Sequence, residues 1–437
     1  YLAKPAREIS VWELAVRELQ GLLHTHLQGD ALIFMPGAYE IMRTVRAARD
    51  ALGPEFLIFP LHGELPPVDQ DAAMARYDRR KIIVATNVAE TSLTIDGVRL
   101  VIDSGLARSP RYDPYRGINT LLIEKISRAA ADQRAGRAGR TAPGHCLRLW
   151  TAHEQNARPA QEIPEVKRLD LSEVILTLKA GGISDLTTFP WLETPDPRAL
   201  KRAETLLVDL GAIEDIGGAI TAVGQRMIAF PVHPRYARML LGGHEYDCVR
   251  PVALIAALTQ GRDLLMRRQA KQIDGTEVDL FDESESDFFV LVRAWKYARR
   301  NGYDDERCRR MGIHAQAARQ DDSLFEQFLS IAAAEGFDIR DKPMAPEAVR
   351  RCVLLGFCDH VAKRLRPGSQ RCEMTHGRRG VLVRESVVKA PLFVVSEARE
   401  VESGAAKDRT LNVVLTLAPV IKEEWLRQLF PDEFIES

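Results

Sequence analysis

The stretch from Ser127 to Arg140 reads Ser-Arg-Ala-Ala-Ala-Asp-Gln-Arg-Ala-Gly-Arg-Ala-Gly-Arg. Its alanine-rich start favours a helix, on which Gln133, Arg137 and Arg140 fall at i, i+4 and i+7 of one face. An amide and two guanidiniums on one face suit a polyphosphate. A solvated basic helix end is the plainer interpretation, but each of the two glycines costs a helix about 1 kcal/mol, which a merely solvated face does not need. We therefore expect a phosphate-facing site, with Arg134 pointing elsewhere.

Short apolar runs surround this stretch and alternate with helical segments. Apolar strands that alternate with helices predict a parallel sheet covered on both faces, with ligands at the carboxyl ends of the strands. We expect a domain with this nucleotide-binding type of fold to end near residue 155. The expected strands are 31–35, 56–61, 81–85, 100–103 and 144–149, and the expected helices are 11–27, 39–52 and 68–77.

Polar loops follow these strands. Directly after the strand 81–85 the chain reads Thr86-Asn-Val-Ala-Glu-Thr-Ser-Leu-Thr-Ile-Asp96, whose hydroxyl, amide and carboxylate groups could contact phosphate, water and ribose. An ordinary turn that satisfies its own backbone is an equally good interpretation of this loop alone. Segment 104–123 carries turn signals at Asp113-Pro114 and Gly117 between β-prone runs, which predicts a projecting hairpin.

Three of these segments together resemble motifs IV, V and VI of the superfamily 2 DEAH/RHA-type helicases. Within that family they resemble the bacterial Hrp-type members. They are Ala31-Leu-Ile-Phe-Met-Pro-Gly37, Thr86-Asn-Val-Ala-Glu-Thr-Ser-Leu-Thr-Ile-Asp-Gly97 and Gln133-Arg-Ala-Gly-Arg-Ala-Gly-Arg140. They occur in the family's order and spacing, and the last two are long, nearly complete matches. The resemblance extends over essentially the whole chain.

The resemblance implies a role in ATP hydrolysis for the opening stretch. Gln133 would touch the γ-phosphate or the attacking water, and Arg137 and Arg140 would be arginine fingers. Fixed guanidiniums stabilise charge on a transferring phosphoryl group, an effect of about 10³–10⁵ in rate. These three are the predicted catalytic residues.

The resemblance also implies three residues that bind the nucleotide. Ser92 corresponds to the γ-phosphate-sensing serine, and Asp96 lies where the family contacts the nucleotide. Tyr77, at the end of the predicted helix 68–77, occupies the place of an aromatic residue that stacks on adenine. A tyrosine in that place could instead belong to the core.

Nucleic-acid contacts are implied at the strand tips and in the hairpin. Thr86 and the Pro36-Gly37 turn match positions that grip the RNA backbone. The loop 63–66 corresponds to another such position, although Glu64 is a poor phosphate ligand. The hairpin 104–123 would separate strands, using Arg108, Arg111 and Arg116.

Two expected ATPase motifs are absent from the sequence, since it contains neither Gly-x-x-x-x-Gly-Lys-Ser/Thr nor Asp-Glu-Ala-His. The resemblance places them, and most contacts to ATP and Mg²⁺, in a first RecA-like domain before residue 1. The chain begins at Tyr1 without an initiator methionine, so we expect a piece of a longer protein. Its predicted content is the second RecA-like domain and the C-terminal domains, without ATPase activity of its own.

The rest of the chain changes character twice, which predicts a multidomain fold of α/β, all-α and β parts. Helices at 171–179 and 197–210, followed by a Gly217-Gly218 turn, predict a winged helix. A helical bundle follows, corresponding to the family's ratchet domain, and a β-rich end predicts an OB-fold-like barrel. The expected domains are 1–155, 156–230, 231–355 and 356–437. The expected bundle helices are 235–241, 249–259, 288–299, 307–318, 324–334 and 346–355, and the expected later elements are strands 381–383, 392–395 and 411–417 and a helix 422–430.

Charge and cysteine content limit the ligands and the cellular compartment that we expect for this chain. Lys and Arg number 60 against 61 Asp and Glu, so nucleic-acid binding must use local patches, of which 363–371 with Arg378-Arg379 is the best candidate. A solvated linker is the competing interpretation of that run. Five Cys and His residues between Cys352 and His376 do not have zinc-site spacing, so no metal is expected. No apolar run is long enough to span a bilayer, and scattered, reduced cysteines suggest the cytoplasm.

We therefore expect the C-terminal half of an ATP-dependent RNA helicase that translocates on single-stranded RNA and unwinds RNA or RNA/DNA duplexes. Its expected partners are nucleic acid, the first RecA-like domain and an activating protein. A non-catalytic scaffold that binds nucleic acid or protein is the alternative from another class, and a DNA translocase is a third. Intact Gln133, Arg137, Arg140 and Ser92 argue against a scaffold.

Overall fold

The computed structural model describes residues 1–4, 9–23, 28–63, 65–91, 95–113, 118–260, 263–266, 285–403 and 410–431. The chain forms two compact units. The first comprises Tyr1–Arg111 and Leu121–Glu165, and the second comprises Tyr112–Thr120 and Val166–Ser437. No helix in these described ranges is long and apolar enough to cross a membrane.

A five-stranded, all-parallel sheet organises the first unit, as the alternating pattern predicts. Its strand order is β2-β3-β1-β4-β7, and a two-stranded hairpin, β5-β6, stands apart from it. The strands are β1 (Asp30–Phe34), β2 (Leu57–Leu61), β3 (Lys81–Ala85), β4 (Val98–Asp103), β5 (Leu106–Asp113), β6 (Ile118–Lys125) and β7 (His145–Arg148).

Helices cover both faces of this sheet. Alternate residues of β1 enter different cores: Ala31 and Ile33 pack with Leu14 on one face, and Leu32 and Phe34 face the other. Burial on both faces explains why the strand is apolar throughout. The helices are α1 (Val11–Leu23), α2 (Ala38–Leu52), α3 (Pro67–Met74), α4 (Val88–Thr91), α5 (Arg128–Gly136) and α6 (Ala152–Asn156).

Helix α3 ends at Met74, so the prediction that it reaches Tyr77 is wrong. The buried ammonium of Lys81 ends the helix, because its Nζ donates to the carbonyls of Ala73, Met74 and Ala75 at 3.1, 3.3 and 2.7 Å. A cation at a helix C-terminus satisfies carbonyls that have no partner within the helix. Burial lowers the pKa of Lys81.

The second unit begins with two helices and a tight turn, in the order expected of a winged helix. Helices α7 (Ser172–Ala180) and α8 (Pro197–Asp209) are joined by an ion pair of 3.1 Å between the Lys179 ammonium and the Glu204 carboxylate. The predicted hairpin is reduced to one antiparallel bridge between Ile213 and Ile220.

A helical region follows, in which two of the predicted helices are wrong. Instead of helices at 307–318 and 324–334, the chain forms a short helix, a break and one long helix. The break lies at Gly312, whose φ of +68° suits glycine, and no Gly or Pro interrupts the long helix. The helices are α9 (Ala222–Met227), α10 (Pro234–Glu245), α11 (Val249–Gln260), α12 (Asp287–Arg300), α13 (Asp305–Arg310), α14 (Ala315–Ala334) and α15 (Pro346–Gly356).

A six-stranded, mostly antiparallel sheet and a last helix complete the second unit. The strand order is β11-β8-β9-β10-β13-β12, with β10 and β13 parallel. Trp425 of the last helix is fully buried in the core of the helical region. The elements are β8 (Val361–Arg364), β9 (Arg371–Met374), β10 (Arg379–Leu382), β11 (Leu392–Val394), β12 (Glu397–Ser403), β13 (Thr410–Thr416) and α16 (Glu423–Leu429).

One buried carboxylate joins three parts of the second unit. Asp359, between α15 and β8, accepts two hydrogen bonds from the Arg235 guanidinium of α10, one of them 2.8 Å long. Arg202 of α8 lies 3.8 Å from the same carboxylate, and Arg378 donates to the Asp359 carbonyl. The surrounding guanidiniums hold the pKa of Asp359 well below its usual range, although burial alone would raise it.

In the described part of the chain, a second buried carboxylate has no guanidinium that lowers its pKa in this way. Asp321 of α14 is 1% exposed, and its Oδ2 has no hydrogen-bond partner within the described ranges. Desolvation raises its pKa from 3.8 to about 7. Between those two values the folded protein binds a proton that the unfolded chain releases, so the stability penalty grows as pH rises and is complete above pH 7.

We therefore expect Asp321→Asn to stabilise the protein at pH 8, by on the order of 2–4 kcal/mol, and much less at pH 4.5. Thermal unfolding followed by circular dichroism at both pH values measures this difference. Asp341→Asn is the control, because its side chain is 90% exposed and the change should leave stability unaltered. Equal stabilisation at the two pH values would contradict the assignment.

Candidate functional site

The arginine-rich stretch is helical only in its first part, so the prediction of one helix through Arg140 is wrong. Ser127 caps α5 by accepting a hydrogen bond from the Ala130 N–H at 3.1 Å, and the helix ends at Gly136. The next three N–H groups, of Arg137, Ala138 and Gly139, reach back three residues instead of four. In such a tighter coil, residues three apart lie on the same side, which keeps Arg137 and Arg140 aligned.

The three predicted catalytic side chains line one open cleft of about 390 Å³, together with Glu90 and Gly136. A Cβ added at Gly136 or Gly139 would meet no atom within 4 Å, so both glycines border open space. The cleft therefore presents two guanidiniums and an amide with room for a ligand, which is the donor set that phosphate oxygens require.

Arg137 is held by the short helix α4, which follows β3. Its Nη2 donates to the carbonyl of Glu90, and desolvation, followed by the nearby charge of Arg140, lowers its pKa. The guanidinium nevertheless stays charged at neutral pH, since arginine titrates far above it. Two cations held close together in one cleft create a strong local attraction for an anion.

The structural role of Arg134 was not predicted from the sequence. The Arg134 side chain points away from the cleft, as expected, but it is fully buried. Its guanidinium bonds Glu90 Oε2 and Asp103 Oδ1, each at 2.9 Å, and the Leu106 carbonyl at 3.1 Å. It also lies 4.9 Å from the centre of the Phe34 ring. One side chain thus fixes α5 against the ends of β1 and β4 and against helix α4, which carries Glu90.

A pattern in the sequence could have indicated this burial. Ala130 and Arg134 are one turn apart on α5, and Ala131 lies beside them. All three are buried. An arginine on the small, apolar face of a short helix must find partners inside the protein, whereas Gln133 lies on the exposed face.

The predicted nucleic-acid contacts at the strand tips lie together. Thr86 and the Pro36-Gly37 turn follow neighbouring strands, since β1 and β3 pair directly. Pro36 and Gly37 are buried, and a Cβ added at Gly37 would lie 2.7 Å from Arg108 Nε. The guanidinium of Arg108 therefore lies over the backbone of Gly37, and Arg108 is the exposed residue at the turn.

The hairpin carries a second predicted arginine, Arg111. Arg111 of β5 pairs with Glu124 of β6 at 2.9 Å, across the two strands, and so takes part in holding the hairpin together. Arg116 and Ser92 lie outside the described residues, as does Glu64. Their predicted roles stay predictions.

Two of the predicted nucleotide contacts lie at another corner of the first unit. The Tyr77 ring stacks on Phe59, with centroids 5.4 Å apart and planes 21° from parallel, and 43% of the residue is exposed. Asp96 pairs with Arg76 at 2.6 Å, and the hydrogen bond from Arg76 lowers the pKa of that carboxyl. Arg76 precedes Tyr77, so this pair places Asp96 near the tyrosine.

The basic run 363–371 spans the end of β8, the connection to β9 and the first residue of β9, so it is a turn of the six-stranded sheet and not a linker between domains. Arg364 is half-buried, and its guanidinium donates to the carbonyls of Ser369, Val388 and Ala390. It therefore stabilises loops of the sheet. The remaining basic side chains are exposed, namely Lys363, Arg366, Arg371 and Arg379.

No group of three or more His, Cys, Asp or Glu side chains in the described ranges is arranged to hold a metal ion. Cys352 instead lies with its Sγ 3.6 Å from that of Cys248. Both residues are buried.

Three family models match the chain, in an order that follows its structure. The helicase conserved C-terminal domain matches residues 14–142, which hold the parallel sheet and the cleft. The winged-helix part of the helicase associated domain (HA2) matches residues 203–232, and its ratchet-like part matches residues 233–327.

Whole-protein comparisons agree with these matches. The chain is 31% identical to the ATP-dependent RNA helicase HrpA of Escherichia coli over 94% of its own length, and 31% identical to the Haemophilus influenzae HrpA homolog over 79%. It covers 32% and 28% of those proteins, and so spans about a third of the curated relatives it matches.

Solved structures give the same result. A crystal structure of the E. coli DExH-box NTPase HrpB matches 98% of the chain with a TM-score of 0.71 and 27% identity, and the chain covers 46% of that protein. With the cleft, the strand-end turns and the order of domains, these matches identify the chain. It belongs to the DEAH-box family of superfamily 2 helicases and carries the helicase C-terminal, winged-helix and ratchet-like domains of the Hrp-type members.

Proposed function

We propose that this chain is the part of an ATP-dependent RNA helicase that supplies one wall of the ATP site and guides single-stranded RNA. The observation that carries the proposal is the convergence of Gln133, Arg137 and Arg140 on one open cleft of about 390 Å³. The names of its HrpA relatives favour RNA over DNA as the substrate.

The residues present fit the phosphates of ATP but not its Mg²⁺. Two guanidiniums and an amide face the cleft, whereas the Glu90 carboxylate is engaged by Arg134 and Asp96 by Arg76. Mg²⁺ needs carboxylate or phosphate oxygens. A second domain with Gly-x-x-x-x-Gly-Lys-Ser/Thr and Asp-Glu-Ala-His motifs would therefore hold the metal and most of the nucleotide.

In the complete enzyme, bound ATP–Mg²⁺ supplies the phosphoryl group whose hydrolysis drives movement. Gln133 would orient the attacking water, and Arg137 and Arg140 would stabilise negative charge as it develops. Arg134 would act as a positioning residue, because it fixes both α5, which carries Gln133, and α4, whose Glu90 carbonyl holds Arg137.

Tyr77 would stack on the base of ATP, with Asp96 and Ser92 contacting the rest of the nucleotide. Since the Tyr77 ring already lies against Phe59, its orientation is fixed before a ligand arrives. A fixed aromatic ring loses little conformational entropy on stacking.

RNA would cross the carboxyl edge of the parallel sheet. Thr86 and the turn covered by Arg108 would contact its backbone there, and the hairpin 104–123 would part duplexes ahead of translocation. We infer that the six-stranded sheet is an OB-type barrel, on which the exposed Lys363 and Arg371 would form a basic patch of their own.

We expect the arginines of the cleft to control turnover. In an enzyme that combines this chain with the phosphate-binding motifs, Arg137→Ala or Arg140→Ala should lower kcat by about 10³ or more, because each removes charge stabilisation from the transition state. ATP affinity should change only modestly. Steady-state ATPase assays and nucleotide binding measure the two effects, with Arg128→Ala as the control, since Arg128 is exposed on the same helix and outside the cleft.

A fall in kcat of only a few-fold would indicate that these arginines are structural, and it would favour the non-catalytic scaffold. The 437-residue chain by itself should hydrolyse no ATP. Turnover by the purified chain would mean that the phosphate-binding half has been misassigned.

We also expect salt-sensitive binding of single-stranded RNA to the 437-residue chain. Arg108→Ala should weaken binding and reduce the slope of log K against log salt by about 0.7, the value for one phosphate contact on a single strand. Fluorescence anisotropy between about 50 and 200 mM salt tests this. Arg17→Ala is the control, because Arg17 is 60% exposed and lies on α1. Binding that does not respond to salt would instead favour a protein partner.

A further inference from the structure

An exposed aromatic cluster lies beside the Pro36-Gly37 turn. Tyr39, two residues after Gly37, is 58% exposed. Trp12 contacts it edge to face, with ring centroids 6.0 Å apart and planes at 89°. Helices α1 and α2 both lead away from the carboxyl edge of the sheet, so their first turns bring these two rings together at that edge.

Arginine supplies the charge of this cluster. Arg43, one turn after Tyr39 on α2, places its guanidinium carbon 5.4 Å from the centre of the Trp12 ring and 5.7 Å from that of Tyr39. Arg43 is exposed, as is Arg46 in the next turn, whereas the carboxylate-bearing Glu40 is buried. The surface therefore combines aromatic rings with positive charge.

Single strands are bound by this combination, because every nucleobase has a face that stacks on an aromatic ring and every nucleotide carries a phosphate. The contacts with Trp12 and Arg43 restrict the Tyr39 side chain in advance, so stacking costs little conformational entropy. A protein partner could also use tyrosine and arginine. Continuity with Arg108, whose guanidinium covers Gly37, favours nucleic acid, because one strand can touch both places.

We propose that Tyr39, supported by Trp12 and Arg43, is a stacking platform for a base of single-stranded nucleic acid. The proposal rests on the proposed function and extends it, since it adds a base contact to the backbone contacts at the neighbouring turn. It assigns a ligand to surface residues that lie outside the ATP cleft.

The test compares two labelled strands of equal length, an oligoadenylate and an abasic ribose-phosphate strand, which keeps the phosphates but lacks bases. Tyr39→Ala should weaken binding of the oligoadenylate to the 437-residue chain about tenfold, the loss of one base stack, and leave the abasic strand unaffected. Tyr39→Phe, which keeps the ring, should bind like the wild type. Tyr1→Ala is the matched control, because Tyr1 is also exposed (51%) and also contacts an arginine, Arg148.

Tryptophan fluorescence gives a second readout. The oligoadenylate should quench a component of the emission that Trp12→Phe removes, and the abasic strand should not. Unchanged oligoadenylate binding by Tyr39→Ala, or equal losses for both strands, would overturn the stacking platform while leaving the proposed function intact. Failure of the wild-type chain to bind either strand would instead contradict the proposed RNA-binding function itself.

Discussion

The buried guanidinium of Arg134 is the interaction on which the first unit depends. It satisfies two carboxylates and a carbonyl that come from three separate places along the chain, Glu90, Asp103 and Leu106. A buried ion pair adds little net stability relative to an apolar replacement, but the loss of one partner leaves an uncompensated charge and costs about 3–5 kcal/mol. Arg137 and Arg140 can therefore face the open cleft because a neighbouring arginine anchors the helix that precedes them.

Much of the fold follows from the sequence, because the strands of the parallel sheet are buried on both faces and are apolar throughout. The errors have local physical causes. Helix α3 stops early because Lys81, seven residues beyond its end, takes its last carbonyls. The sequence predicts a break in the long α14 because its middle, residues 319–323, is polar. A polar run without glycine or proline does not end a helix, however, and Asp321 of this run is buried.

The sequence predicts which side chains share the cleft, but it does not predict how the backbone brings them there. Gln133, Arg137 and Arg140 do share a cleft, yet they reach it across the end of a helix, where the hydrogen bonds tighten after Gly136. Residue type also says little about what an arginine does. Arg364 lies in a basic run and donates to backbone carbonyls, whereas the guanidinium of Arg108 lies exposed over Gly37.

The bond between Arg235 and Asp359 affects how the protein can be divided. The two residues are 124 positions apart, and the predicted boundary between the helical bundle and the β-rich domain falls after residue 355. A protein cut there would keep Arg235 inside the bundle and lose its carboxylate, and it would also lose Trp425, which fills the same core. Truncation at this boundary would expose apolar surface and leave the charge of Arg235 unpaired in the interior. The two domains must therefore be produced as one piece to behave as they do in the whole chain.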